Sequence, residues 1–124
     1  MARPPANDLL RGSMDLLVLS VLADEPLYGY AIIKRVGTRS DETVRLTPGV
    51  LYPLLHQMEK QGLLTAVWDE VQAAGSEEGS RGRRRKWYRL SAKGRKRLTH
   101  RAAAHRAVQR ILEGFLPDPE GEGA

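Results

Sequence analysis

The sequence predicts one small domain of the α+β class, mostly α-helical, with two strands towards its carboxyl end. Its 124 residues are a typical length for one domain, and 41% of them are hydrophobic, which is enough for a core and too much for a disordered chain. Apolar residues recur at helical spacing in several segments, and two short segments have strand character. The longest apolar runs are far shorter than the ~20 residues of a membrane helix, so we expect no membrane association.

The first helix is predicted from Leu9 to Ala23, where the second half is apolar almost all round, as in a buried helix. Ser13 is a suitable N-cap if the helix proper begins after Gly12, and the residues before Pro26 end it. A second, short helix is predicted from Tyr28 to Val36, and residues 44–46 could form a very short strand.

The third helix has the clearest local signals. Thr47 is a good N-cap, Pro48 suits the first helical position, and Gly62 suits the position after the last turn. Pro53 should distort the early turns because it removes one backbone hydrogen bond. One apolar stripe follows helical spacing: Leu51, Leu54, Leu55 and Met58.

The remaining chain predicts a hairpin and a long helix. Residues 63–68 and 86–90 have strand character, and the residues between them are rich in Gly and Ser, as in a loop. Ser91 caps a helix of about residues 92–115. Two short helices followed by a two-stranded hairpin describe a winged helix-turn-helix, in which the third helix is the recognition helix.

The third helix has an outward face of modest side chains that suits the floor of a DNA major groove. Its residues are Gly49, Val50, Tyr52, Pro53, His56 and Gln57. Periodicity alone does not separate this role from that of ordinary solvent-exposed positions.

Charge is distributed very unevenly along the chain. The net charge is +5, yet residues 81–110 contain thirteen Lys or Arg and no acidic residue. The hairpin tip has the densest cluster: Arg81, Arg83, Arg84, Arg85 and Lys86. Such a cluster repels itself when it is uncompensated, so we expect an anionic partner, and arginine is a common probe of phosphates and minor grooves.

Several other functions lack support in the sequence. The chain has no cysteine, which excludes disulfides and cysteine-bound zinc, and its first residues lack a signal-peptide layout, so we expect a cytoplasmic protein. His100 and His105 are five residues apart and do not share a helix face as metal ligands would. No nucleophile or phosphate-loop motif is present. We therefore predict no catalytic residue, no metal and no cofactor.

The last helix has a seam with coiled-coil-like spacing, which predicts packing against a second copy of the chain. Its members are Leu98, Ala102, His105, Val108, Leu112 and Phe115. We interpret His105 as a satisfied or partly exposed histidine of this seam, in preference to a ligand contact.

Several blocks, in this order, resemble the PadR family of bacterial transcriptional regulators: LRGSMDLLVL from residue 10, LYGY from 27, LTPGVLYPLL from 46, GLL from 62 and RRRKWYRLSAKG from 83. The resemblance covers about residues 9–115. It implies a winged-helix repressor that binds an inverted-repeat operator as a two-fold dimer. The segment from Thr47 would enter the major groove, the wing would lie near the minor groove, and the last helix would pack on the partner's first helix.

On this basis we add Tyr30 and Lys34 to the predicted DNA-binding residues, and Leu16 and Leu17 to the predicted dimer interface. The wing is longer than is common in the family, with Glu77 and Glu78 in it, and the single last helix resembles the smaller PadR subgroup.

The predicted organisation has four parts: a flexible arm over residues 1–8, a winged-helix domain over 9–91 with its wing at about 69–86, a dimerisation helix over 92–116, and an acidic tail over 117–124. The predicted function is transcriptional regulation, as a homodimeric repressor on double-stranded DNA. The alternative is a winged-helix module that docks an acidic protein or RNA. The sequence does not identify a small-molecule effector.

Overall fold

The computed structural model describes residues 11–70 and 84–119. A short 3-10 turn, Arg11–Ser13, comes first. The elements that follow are α1 (Met14–Asp24), β1 (Leu27–Tyr28), α2 (Gly29–Arg39), α3 (Pro48–Lys60), β2 (Leu64–Glu70), β3 (Arg84–Leu90) and α4 (Ala92–Glu113). The predicted mostly helical α+β fold is therefore confirmed.

The ends of the helices follow local chemistry, with some differences from the prediction. α1 ends at Asp24 because Glu25, which precedes Pro26, is extended. Ser13 and Thr47 occupy the N-cap positions of α1 and α3, but neither side chain makes a capping hydrogen bond. At α4 the predicted cap is complete, since the Ser91 hydroxyl accepts a hydrogen bond from the Gly94 backbone N–H at 3.0 Å.

The prediction was wrong about the segment around α2. Tyr28 lies in β1 and not in the helix, and α2 continues to Arg39. Residues 44–46 form no strand. Instead, Val44 and Leu46 are buried in the core, and the Val44 N–H donates to the Ser40 hydroxyl at 3.0 Å. The hydrogen bond ties Val44 to the end of α2, and none of residues 44–46 pairs with a strand of the sheet.

α3 runs without interruption through Pro53. The missing N–H of Pro53 leaves one helical acceptor, the Gly49 carbonyl, without its partner, and Gly49 lies exposed at the start of the helix. Gly62, which follows the C-cap residue Gln61, has a φ of +80°, the left-handed conformation that favours glycine after a helix. The distortion predicted for Pro53 therefore does not divide the helix.

The sheet has the antiparallel order β1-β3-β2. β2 and β3 pair from Leu64 opposite Leu90 to Glu70 opposite Arg84, so both strands are longer than predicted. Arg84 and Arg85 consequently belong to β3, and the prediction that began this strand at Lys86 was wrong.

The core lies between α1, α2, α3 and the inner face of the sheet. Its most completely buried side chains are Val18, Leu19, Leu22, Ile32, Leu51, Leu55, Met58 and Leu63. Burial of one such side chain stabilises the fold by about 1.5–3 kcal/mol. α4 packs against α1, where the Arg101 guanidinium lies 2.8 Å from the Asp15 carboxylate.

Gly94 allows α4 to approach the start of β2 closely. A Cβ at this position would overlap the carbonyl oxygen of Leu63, a backbone atom that cannot rotate away. Gly94→Ala should therefore lower the free energy of unfolding by about 1–3 kcal/mol, as overpacking does, although alanine is the better helix former.

Chemical denaturation measures this effect, and Gly49→Ala is the matched control. A Cβ at Gly49 would meet only the Thr47 hydroxyl, at 4.0 Å. We expect the control to unfold at or above the midpoint of the parent protein. Equal stability of Gly94→Ala and the parent would contradict the close approach.

Candidate nucleic-acid interface

The outward face of α3 is exposed as predicted. Val50 and Tyr52 retain 49% and 45% of their accessible surface, and Gly49, Pro53, His56 and Gln57 are also exposed. On the opposite face, Leu51, Leu55 and Met58 are buried and Leu54 is half-buried. The helix is thus held by its apolar stripe, which leaves the predicted face free to contact a partner.

Tyr52 also contacts α2, which sequence reasoning did not predict. Gly29, the first residue of α2, is buried, and a Cβ there would overlap the ring and hydroxyl of Tyr52. The phenol end of Tyr52 therefore rests on the α2 backbone while the rest of the side chain faces solvent. This contact joins the two helices of the helix-turn-helix and fixes the direction of the Tyr52 ring.

Two further predicted residues lie on α2. Tyr30 is 59% exposed, and the Lys34 Nζ lies 5.7 Å from the centre of its ring, within range of a cation–π contact. Thr47, which precedes α3, is exposed as well. Donors from both helices are thus available to an anionic partner.

The basic cluster is described only from Arg84 onwards, because Arg81 and Arg83 lie outside the described residues. The Arg84 guanidinium carbon lies 4.8 Å from the centre of the Trp68 ring. The Arg85 guanidinium carbon lies 4.3 Å from the centre of the Tyr28 ring. Cation–π contacts of this kind orient guanidinium groups without removing their charge.

The charge of Lys86 is compensated by an ion pair. Its Nζ lies 3.1 Å from Oε1 of Glu59, in the last turn of α3, and both side chains are largely shielded from solvent. The expectation of an uncompensated cluster is therefore wrong at this residue. Sequence reasoning missed Glu59, since nothing in the local pattern indicates a contact between residues so far apart.

Tyr88 lies beside this pair on the inner face of the sheet. Burial raises the pKa of its phenol, and the Glu59 carboxylate and Tyr52 raise it further, while the Lys86 ammonium acts in the opposite direction. The phenol is therefore neutral at physiological pH. The electrostatic neighbours of Tyr88 come from both α3 and β3, which reflects how closely the recognition helix and the wing sheet are packed.

The predicted seam of α4 is divided in the structure. Leu98 packs against the core of its own chain, as does Leu17, whereas Leu16 and Ala102 are partly buried. The remaining predicted members, His105, Val108, Leu112 and Phe115, are exposed. Leu98 is therefore half-buried against the core of its own chain, and its place in a dimer seam stays a prediction.

Beyond Ala102, the last turns of α4 and the residues after it present an exposed apolar surface. Two members that sequence reasoning missed belong to it: Ile111, which is 62% exposed, and Leu116, which is 59% exposed. Ile111 is three residues after Val108, and Leu116 is four residues after Leu112, so helical spacing could have found both. Large exposed apolar surfaces of this kind mark sites of association.

Neither a metal centre nor a membrane segment is found in the described parts of the chain. No group of three or more His, Cys, Asp or Glu side chains within residues 11–70 and 84–119 could hold a metal ion. No helix in the same residues is long and apolar enough to cross a membrane.

The helix pair α2–α3, followed by the antiparallel strands β2 and β3, defines this chain as a winged helix-turn-helix protein. Residues 18–100 match the transcriptional regulator PadR-like family, and the chain belongs to that family. The family comprises transcriptional regulators and not enzymes, which confirms the prediction that the chain has no catalytic role.

Three proteins similar to this chain are regulators that the match covers over most of their length. Transcriptional regulator Rv3488 of Mycobacterium tuberculosis is 31% identical over 117 residues, which are 94% of this chain and 98% of that protein. The structure of a transcriptional regulator from Clostridium thermocellum superposes with a TM-score of 0.73 at 25% sequence identity, and the match covers 89% of this chain and 99% of that chain. A PadR family regulator from Eggerthella lenta has a TM-score of 0.68 at 33% sequence identity, and the match covers 87% of this chain and 85% of that chain.

Proposed function

We propose that this PadR-like regulator is a repressor that binds double-stranded DNA as a homodimer, in the cytoplasm. Two recognition helices, one from each chain, would enter successive major grooves of an inverted repeat. Occupancy of a promoter would then block the polymerase. A signal, if one acts on the protein, would change the separation of the two helices.

The observation that supports DNA binding most strongly is the exposed outward face of α3 beside the cations of β3. Apart from Val50 and Pro53, this face consists of glycine and of side chains with hydrogen-bonding groups, such as Tyr52 and His56. Val50 and Pro53 form only a small apolar area on it, whereas docking to a protein would favour a larger contiguous apolar surface. Base edges in a major groove present donors and acceptors to such groups.

The predicted residues divide into two roles in this proposal. Gly49, Val50, Tyr52, Pro53 and His56 would lie in the major groove, with Gly49 allowing close approach of the backbone. The second group would contact phosphates or the minor groove: Tyr30, Lys34, Thr47, Arg81, Arg83, Arg84 and Arg85. The first group would specify sequence, and the second would supply salt-dependent affinity.

Dimerisation is supported by the exposed apolar surface at the end of α4. Val108, Leu112 and Phe115 remain 54%, 46% and 81% exposed in the single chain. Two-fold pairing would bury this surface and would place two recognition helices about one turn of DNA apart, near 34–36 Å. Leu16 and His105 are further candidates for this interface.

Substitutions on the recognition helix test the proposed role directly. The preferred duplex is the sequence that the protein selects from a library of random DNA. We expect Tyr52→Ala and His56→Ala each to weaken binding to this duplex by about 1–3 kcal/mol, because contacts to base edges carry this much discrimination. Binding to a scrambled duplex of the same length should change much less. A fluorescence titration with both duplexes measures the difference.

Tyr52→Phe is the matched control for the packing role of the ring. It keeps the ring atoms that pack on Gly29 and removes only the hydroxyl, so an affinity lost with alanine and kept with phenylalanine is due to packing of the ring. Equal losses on the preferred and scrambled duplexes would mean that these residues position the helix without reading sequence.

A further inference from the structure

Glu59 and Lys86 form an ion pair between the recognition helix and the wing sheet. Their charged atoms are 3.1 Å apart, and the side chains are only 29% and 33% exposed for Lys86 and Glu59 respectively. The pairs Arg35–Glu25 and Arg39–Asp24 are more exposed, at 34%/52% and 50%/53%. Solvent therefore screens the Glu59–Lys86 pair less than it screens those two.

Aromatic rings further restrict the Lys86 ammonium. Its Nζ lies 5.6 Å from the centre of the Trp68 ring and 5.5 Å from the centre of the Tyr88 ring. A carboxylate and two ring faces thus surround one ammonium group, which gives it a defined position. A lysine held in this way is directed towards α3 and is not free to extend to a DNA phosphate.

The pair lies where it can control the geometry of the interface. Glu59 is in the last turn of α3, and Lys86 is two residues from Arg84, the first residue of β3. The sheet register places Lys86 opposite Trp68, so Lys86 is joined to β2 through the sheet. A change in this contact would move the arginines of β3 relative to the outward face of α3.

We propose that Glu59 and Lys86 are positioning residues that set the orientation of the wing relative to the recognition helix. This inference rests on the proposed DNA binding, and it gives Lys86 a role different from the phosphate contact predicted from the sequence. DNA affinity then depends on the intact pair and not on the positive charge of Lys86 itself.

The direction in which Glu59→Gln changes DNA affinity distinguishes a positioning role of the ion pair from a purely electrostatic effect. Glu59 carries a negative charge near a surface that would bind phosphates, so its removal should strengthen DNA binding if electrostatic repulsion were its only effect. A positioning role predicts the opposite result: Glu59→Gln should weaken binding.

The experiment compares Glu59→Gln, Lys86→Met and the exchanged pair Glu59→Lys with Lys86→Glu in the full chain. Titrations use the preferred and a scrambled duplex over a range of salt concentrations. We expect each single variant to bind the preferred duplex about 3- to 10-fold more weakly, within the range of coupling between contacting residues. The salt slope should not change, and the exchanged pair should recover most of the affinity.

Other results would overturn the proposal. If Glu59→Gln binds as tightly as the parent or more tightly, and Lys86→Met lowers the salt slope by about 0.9, Lys86 is a phosphate contact. Failure of the exchanged pair to recover any affinity would also argue against the positioning role.

A measurement without DNA keeps this inference separate from the proposed function. The chain has no cysteine, so thiol-reactive spin labels attach only to cysteines that are introduced. Gln57→Cys places one label on α3, and Asp69→Cys places the other on β2. Labelled chains diluted with unlabelled chains report the distance between helix and wing. We expect Glu59→Gln to broaden that distribution and the exchanged pair to narrow it again. Identical distributions in all variants would overturn the positioning role even if the chain binds no DNA.

Discussion

Leu112→Glu should convert the protein to a monomer and remove its preference for an inverted-repeat duplex. Leu112 is 46% exposed in the single chain and belongs to the apolar surface at the end of α4. A dimer that buries this surface gains roughly 25 cal/mol for each Å² of apolar area. A buried carboxylate without a partner would cost several kcal/mol, which exceeds what most small interfaces can tolerate.

Sedimentation measures the expected shift to monomer, and titration measures the expected loss on the preferred duplex. Weak binding to any duplex should remain, because the basic residues of the wing are unchanged. Ala103→Glu is the matched control, since it adds the same charge at an exposed position on the opposite side of α4, nine residues away. The control should stay dimeric. A Leu112→Glu variant that remains dimeric and keeps its affinity would contradict the proposed role of α4.

Replacement of Arg83, Arg84 and Arg85 by alanine should weaken binding to every duplex to a similar degree. These residues would contact phosphates or the minor groove, and each lost phosphate contact lowers the magnitude of the salt slope by about 0.9. Titrations at several salt concentrations give the slope. The preference for the inverted repeat should persist, because the outward face of α3 is unchanged.

The matched control replaces the same three arginines by lysine. Lysine keeps the charge and loses the planar guanidinium, so the salt slope should be close to that of the parent protein while contacts that need two parallel hydrogen bonds weaken. If the alanine variant has the same salt slope as the parent protein, the wing does not contact DNA.

Local signals were sufficient for most of the fold. Pro48 at the first helical position and the stripe from Leu51 to Met58 placed α3 within a residue of its observed ends, and Ser91 marked the start of α4. β1 was missed because a strand of two residues is too short for an alternating pattern. It forms only because Leu27 and Tyr28 meet Tyr88 and Trp87 across a long sequence separation.

Those parts of the candidate site whose exposure follows from helical periodicity were predictable from the sequence. Those parts that depend on contacts between separate elements were not. The outward face of α3 followed from its inward stripe. The contact of Tyr52 with Gly29 and the ion pair of Glu59 with Lys86 each join separate elements, so no local pattern indicates them. Leu98 had the spacing of a seam residue, but the docking of α4 on its own domain places it against the core.

The most direct test of DNA recognition is selection of preferred sequences from a library of random DNA duplexes by the purified full-length chain. Our account predicts recovery of an inverted repeat whose half-site centres are about 10–10.5 base pairs apart, or a multiple of that distance, and which binds two chains. Recovery of no common sequence, or of a sequence without two-fold symmetry that binds a single chain, would contradict the account.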